Sequence, residues 1–166
     1  MKLNIAILTV SDTRTRANDK SGDYLQTAAD KAGHQVVARQ IVADELYVLR
    51  AAVSTWIADS GIDVILTTGG TGFAERDVTP EAIQILFDKA IVGFGEVFRQ
   101  ISYDEIGSAT VQSRALAGVA NNTLIFCMPG STGACRTAWE KIIVEQLDAS
   151  FRPCNFTGMI KQGHAK

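Results

Sequence analysis

Apolar positions along the chain fall into short runs and helical stripes that alternate. Residues 3–10 form a run of strand length, the pattern of a strand buried on both faces. Residues 11–20 are polar and read as a loop. Ser21 is placed to cap a helix reaching Ala32, with Tyr24, Leu25, Ala28 and Ala29 on one face and Gly33 at its end. Gln35–Val42 reads as a second strand. Asp44 then stands at an N-cap position before a helix that buries Leu46, Leu49, Val53, Trp56 and Ile57, and Gly61 stops it. Residues 62–66 read as a third strand. Thr79-Pro80-Glu81 orders a cap, an N1 proline and a first-turn acid, which predicts a helix carrying Ala82, Ile83, Leu86 and Phe87. A further helix is predicted over residues 93–103. Residues 116–119 and Thr123–Met128 flank Asn121-Asn122, a pair suited to a tight hairpin turn because Asn tolerates positive φ. The last helix carries Trp139, Ile142, Ile143, Gln146 and Leu147 along one side.

Strands alternating with helices predict an α/β fold of three layers, α/β/α, with a mostly parallel sheet and one antiparallel hairpin. Residues 1–150 read as one domain and residues 151–166, which contain Pro153, as a C-terminal tail expected to be loose. In such sheets ligands collect beyond the carboxyl ends of the strands. Four polar or glycine-rich stretches fall there: Ser11-Asp12, Asp44-Glu45, residues 67–77 and residues 129–133.

Composition narrows the field. The 166 residues, 46% apolar and 20% charged, suit one compact domain and exclude general disorder. A net charge of −2 without a Lys/Arg run gives no footprint for nucleic acid. The N-terminal apolar run is too short for a membrane span and lacks a small-residue cleavage site. Three cysteines without Cys-x-x-Cys spacing predict reduced thiols and a cytoplasmic protein. Cys127 reads as core. Cys135 lies in a first helical turn, where a thiol pKa can fall. His34 reads as a surface residue, and neither it nor His164 clusters with the cysteines as a metal site would require.

The stretch Thr67-Thr68-Gly69-Gly70-Thr71-Gly72 carries the chemistry. Its glycines let backbone N–H groups curl around an anion, and the threonine hydroxyls are further donors. A ligand-free strand-to-helix turn is the duller alternative, but a turn needs fewer glycines. No lysine follows the glycines, which excludes a Walker loop, and the Gly-x-Gly-x-x-Gly dinucleotide pattern is broken at Glu75. Pro129-Gly130-Ser131-Thr132-Gly133 forms a second strand-to-helix nest, or a plain cap. Arg14, Arg16 and Arg76 are candidate phosphate partners.

Asp12, Asp44 and Asp77 each have a local role open to them: folding a loop, capping a helix, closing a turn. Yet all three are predicted beside an anion-binding loop. A carboxylate about 4 Å from a phosphate charge costs about 4 kcal/mol at an effective dielectric near 20. A bridging Mg²⁺ resolves that conflict.

Thr67 to Gly72, then Arg76-Asp77-Val78-Thr79-Pro80-Glu81-Ala82, Gly93-Phe94-Gly95-Glu96 and Met128-Pro129-Gly130-Ser131 together resemble the MoaB/MogA family of molybdenum cofactor biosynthesis, over about residues 3–156. Ser113-Arg114-Ala115-Leu116-Ala117-Gly118 and Arg152-Pro153-Cys154-Asn155-Phe156 are similar to the MoaB branch. The resemblance implies molybdopterin binding, and in adenylyltransferase members a reaction of molybdopterin with MgATP that yields adenylyl-molybdopterin and pyrophosphate. It implies Asp44 and Asp77 as catalytic and Mg²⁺-binding residues. Residues 67–72, with Thr68, Gly69, Gly70, Thr71 and Gly72 among them, and Ser131 match positions that hold the pterin phosphate or nucleotide, and Ser11, Asp12, Pro129 and Gly130, at the same strand ends, complete the candidate binding residues. A homo-oligomer, trimer or hexamer, is implied, with other molybdenum cofactor biosynthesis proteins as further candidate partners and neither nucleic acid nor membrane among them. Cys127 stands where the adenylyltransferase pattern has Asn. The alternative is a molybdopterin-binding carrier or scaffold without transferase activity, in which the acids are turn residues.

Overall fold

A computed structural model describes residues 1–163, with side chains described to residue 160. The elements run β1 (Asn4–Val10), α1 (Lys20–Lys31), β2 (Gln35–Val42), α2 (Leu46–Ala58), β3 (Val64–Thr68), α3 (Thr79–Ile83), β4 (Lys89–Ala90), α4 (Val92–Ile106), β5 (Leu116–Ala120), β6 (Thr123–Met128), α5 (Thr132–Ala138), α6 (Val144–Gln146) and α7 (Thr157–Gly163). One six-stranded sheet has the order β2-β1-β3-β6-β5-β4. The first four of these strands are parallel, and β5 is antiparallel to both β6 and β4. The three-layer α/β reading and its antiparallel hairpin are therefore borne out.

Period-two alternation explains the layers. Ile5 and Ile7 of β1, Leu66 of β3 and Leu124 and Phe126 of β6 share one core with Leu25, Phe94, Phe98 and Trp139 of the helices. Ala6 and Leu8, Ile65, and Ile125 and Cys127 point the other way, into a core with Leu49, Val53, Trp56 and Ile83. Both faces are dry, so the central strands read as apolar runs rather than alternating ones. The chain leaves β1 toward β2 by a helix on the first face, and returns from β2 to β3 by a helix on the second. The connections from the carboxyl ends of β1 and β3 thus part company, and a cleft opens at this switch point.

Local details differ from the sequence reading. Asp19, not Ser21, caps α1, its carboxylate accepting from the Gly22 amide at 3.0 Å. Glu45, not Asp44, is the N-cap residue of α2, and no side chain bonds that helix end. The third strand begins at Val64 rather than 62, and β4 is an additional two-residue strand. Asn121 (φ 48°) and Asn122 (φ 63°) make the hairpin turn as expected. His34 is not a surface residue. It is buried with its ring edge toward Trp139, and its Nδ1 accepts from the Leu3 amide.

The tail is not loose throughout. Residues 157–163 form α7, and Ile160, 1% exposed, enters the first core beside Phe156 and Met159. His164 lies outside the described residues. Ile160→Ala should cost about 2 kcal/mol in chemical denaturation, because it empties a core position. An undocked tail would leave the midpoint unchanged.

Candidate functional site

A cleft of about 930 Å³ opens at the carboxyl ends of β1, β3 and β6. It gathers most of the residues singled out for binding: Ser11, Asp12, Asp44, Thr68, Gly69, Gly70, Thr71, Gly72, Asp77, Pro129, Gly130 and Ser131. Arg14 and Arg76 line it as well. Arg16 and Thr67 do not, and Thr67 is fully buried at the end of β3.

The floor is held by loops leaning on one another. Gly69 (φ +106°) passes so close to β1 that a Cβ there would stand 2.2 Å from the Val10 carbonyl oxygen. Its amide donates to the Met128 carbonyl at 3.0 Å, and its carbonyl accepts from the Thr79 hydroxyl at 2.9 Å. Thr68 is a strut rather than a free donor, since its hydroxyl bonds the Pro129 carbonyl at 3.0 Å and touches the Cys135 sulfur. Ser21 steadies the second nest by donating to the Gly130 carbonyl at 2.8 Å. Ser131 caps α5 by accepting from the Ala134 amide at 3.1 Å. Burial pushes the Cys135 thiol up to about 11, the reverse of the helix-terminus expectation, because the sulfur is enclosed. Cys127 is core, as read.

Two carboxylates overhang the glycines. A Cβ on Gly70 would meet Asp44 oxygens at 2.7 and 2.9 Å, and one on Gly72 would meet Asp77 Oδ2 at 2.6 Å. At Gly70 (φ +66°) both the turn and this approach favour glycine, and at Gly72 the approach alone does. Asp77 closes its own loop by accepting from the Ala74 amide at 2.9 Å. Asp44 accepts from the Val78 amide at 3.2 Å. Burial, together with the charges of Asp77 and Asp12, pushes the Asp44 carboxyl above the usual carboxylate range. Asp12 behaves oppositely: Arg76 bonds it through two nitrogens, each at 2.8 Å, and holds its carboxyl low. The set offers hard oxygen donors. Among the described residues no three His, Cys, Asp or Glu side chains are grouped to hold a metal on their own.

Sequence reasoning missed the opposite wall and one floor residue. Phe98, Ser102 and Glu105 face the site from α4, Thr110 and Gln112 from the 3₁₀ segment Gly107–Gln112, and Ser113 from just beyond it. Asp19 is the floor residue. Burial works to raise its pKa, but the Arg39 guanidinium at 2.7 Å, the Gly22 amide and the Thr9 hydroxyl outweigh that and hold it low. A polar residue at a helix start was the only available signal.

Residues 6–149 match the family described as a probable molybdopterin binding domain. The chain is 59% identical over 158 residues to molybdenum cofactor biosynthesis protein B of Escherichia coli strain K12, covering 95% of this chain and 93% of that protein. The protein of that name from Bacillus subtilis strain 168 is 49% identical over 142 residues, covering 85% and 84%. Among solved structures, tungsten cofactor synthesizing protein MoaB from Pyrococcus furiosus aligns with a TM-score of 0.79 at 40% identity, over 87% of this chain and 92% of that one.

Two substitutions test the electrostatics in opposite directions. Asp19, with its folded pKa lowered, adds stability that is full above the ordinary carboxylate pKa of about 3.9 and is lost as pH falls through the folded value. Asp19→Asn should cost about 2 kcal/mol at neutral pH and flatten the acid limb of the stability curve. Asp44, with its folded pKa raised, destabilises the fold progressively as pH climbs from the unfolded to the folded value. Asp44→Asn should therefore raise the Tm of the ligand-free protein at pH 7 and leave it unchanged well below pH 4. Thermal scans across pH check both signs.

Proposed function

Because the chain belongs to the probable molybdopterin-binding domain family of molybdenum cofactor biosynthesis proteins, in its MoaB branch, we propose that its cleft adenylylates molybdopterin with MgATP. The observation that carries this reading is the pair of carboxylates over a phosphate-type loop, with Asp44 held above its usual range by burial and by like charge. A pure phosphate binder gains nothing from acids there, since they repel the ligand.

Mg²⁺ takes one or two carboxylates plus substrate phosphate oxygens, and Asp44 and Asp77, which both overhang the glycine loop, would hold it. When bound it supplies charge neutralisation to the reacting phosphates. The chain's own task is alignment. The backbone of residues 69–72 and the nest at Pro129, Gly130 and Ser131 would seat two phosphate groups on the same floor. An oxygen of the molybdopterin phosphate forms the new bond to the α-phosphorus of ATP. The bond from that phosphorus to the bridging oxygen breaks, and pyrophosphate leaves with the electron pair. A phosphate nucleophile is already charged, so no general base is required, which accords with a cleft lined by no histidine among the described residues.

We also read the protein as a cytoplasmic trimer or hexamer. Val92, Val97, Tyr103 and Ile106 are exposed apolar residues of α4 and support self-association. Light scattering should give three or six times the chain mass.

Asp44→Ala and Asp77→Ala should each lower pyrophosphate release from MgATP and molybdopterin by at least about a hundredfold, with molybdopterin binding largely kept. Normal turnover in both variants would refute the assignment. Molybdopterin binding with no pyrophosphate release by the unaltered protein would establish the carrier reading instead.

A further inference from the structure

Arg114 lies outside the cleft, between the 3₁₀ segment that forms one wall and the start of β5. Its guanidinium is turned onto the back of the glycine loop, with the side chain 24% exposed. Nε donates to the Gly72 carbonyl at 3.0 Å and more weakly to that of Thr71 at 3.4 Å. One terminal nitrogen donates to the Asp77 carbonyl at 2.7 Å, and the other pairs with Glu81. The Arg114 amide adds a bond to the Thr71 carbonyl at 3.3 Å, and the Phe73 ring lies 5.1 Å from the guanidinium carbon. One planar group therefore fixes three loop carbonyls.

In a trans peptide the N–H points opposite to the C=O. Holding the carbonyls of Thr71, Gly72 and Asp77 turns the amides of Gly72, Phe73 and Val78 away from Arg114. For Val78 the result is direct, because its amide donates to the Asp44 carboxylate at 3.2 Å. The connection runs from Arg114 through a single peptide plane to Asp44. A glycine-rich loop is otherwise free to rotate its peptides and present carbonyl oxygens to an anion. Lysine cannot substitute, since a point charge on a flexible stem lacks the fork.

We propose that Arg114 is a positioning residue: it locks the peptides of the glycine loop with their amides toward the cleft, and through the Asp77–Val78 peptide it sets the Asp44 carboxylate. The role of the lock rests on the phosphate-binding reading of the loop, but its decisive test needs no ligand. Arg114→Lys keeps the charge beside Glu81, and Glu81→Gln removes that ion pair while leaving the loop contacts. Amide exchange followed by NMR should show Val78 opening about tenfold faster in Arg114→Lys, with the amides of β1 and β3 unchanged. Glu81→Gln should leave Val78 exchange unmoved.

Unchanged Val78 exchange in Arg114→Lys would overturn the proposal. So would equal acceleration across the sheet, which marks a merely structural residue, or the same effect from Glu81→Gln. MgATP titration should show affinity about tenfold weaker in Arg114→Lys. Should the unaltered protein bind no MgATP, the adenylylation reading fails, while Val78 exchange still decides the role of Arg114.

Discussion

Positions 70 and 72 lack side chains, and the candidate site depends on that. The Asp44 and Asp77 carboxylates occupy the space that Cβ atoms on those residues would fill. A third close approach, Gly69 against the Val10 carbonyl, presses the same loop onto the end of β1. The loop is therefore a thin sheet of backbone with strand ends beneath it and acids above. Charged groups reach it from one side, and a planar guanidinium grips its carbonyls from the other. Any side chain on those three glycines would separate layers that function only in contact.

The fold supplies the rigid support. Both faces of the parallel strands are buried, so the strand ends that carry the loops have little freedom to move. The reversal of strand order at β1 sends neighbouring connections to opposite faces and leaves a gap between them. Into that gap fall loops from β1, β2, β3 and β6, which are far apart in the chain. Thr68, Thr79 and Ser21 then tie these loops together through backbone carbonyls.

Electrostatic stability is distributed unevenly over the cleft. Asp19 on the floor is enclosed by donors and strengthens the fold, while Asp44 above the loop has one weak backbone donor and two acidic neighbours. Arg76 satisfies Asp12 and so contributes less to Asp44. The ligand-free protein thus carries concentrated negative charge against an anion-type loop. Such an arrangement accords with the proposed binding of a cation with its phosphates.

Much of this was determined by the sequence alone, because it depends on local spacing. Continuous apolar runs specified strands with two buried faces, Asn121-Asn122 specified the hairpin, and glycines beside Asp77 marked the loop. Asp44 was identified, but its capping role was misread. Capping is decided by whether a side chain turns back to its own helix, and here it turns instead to Val78, 34 positions away. Ser21, His34 and the tail were misjudged for the same reason, since each is held by partners distant in the chain. The α4 wall, Asp19 as a buried acid, and the grip of Arg114 on residues 71, 72 and 77 were legible only in the tertiary structure. Burial and hydrogen-bond direction are properties of the assembled neighbours, and no local pattern of residue types encodes them.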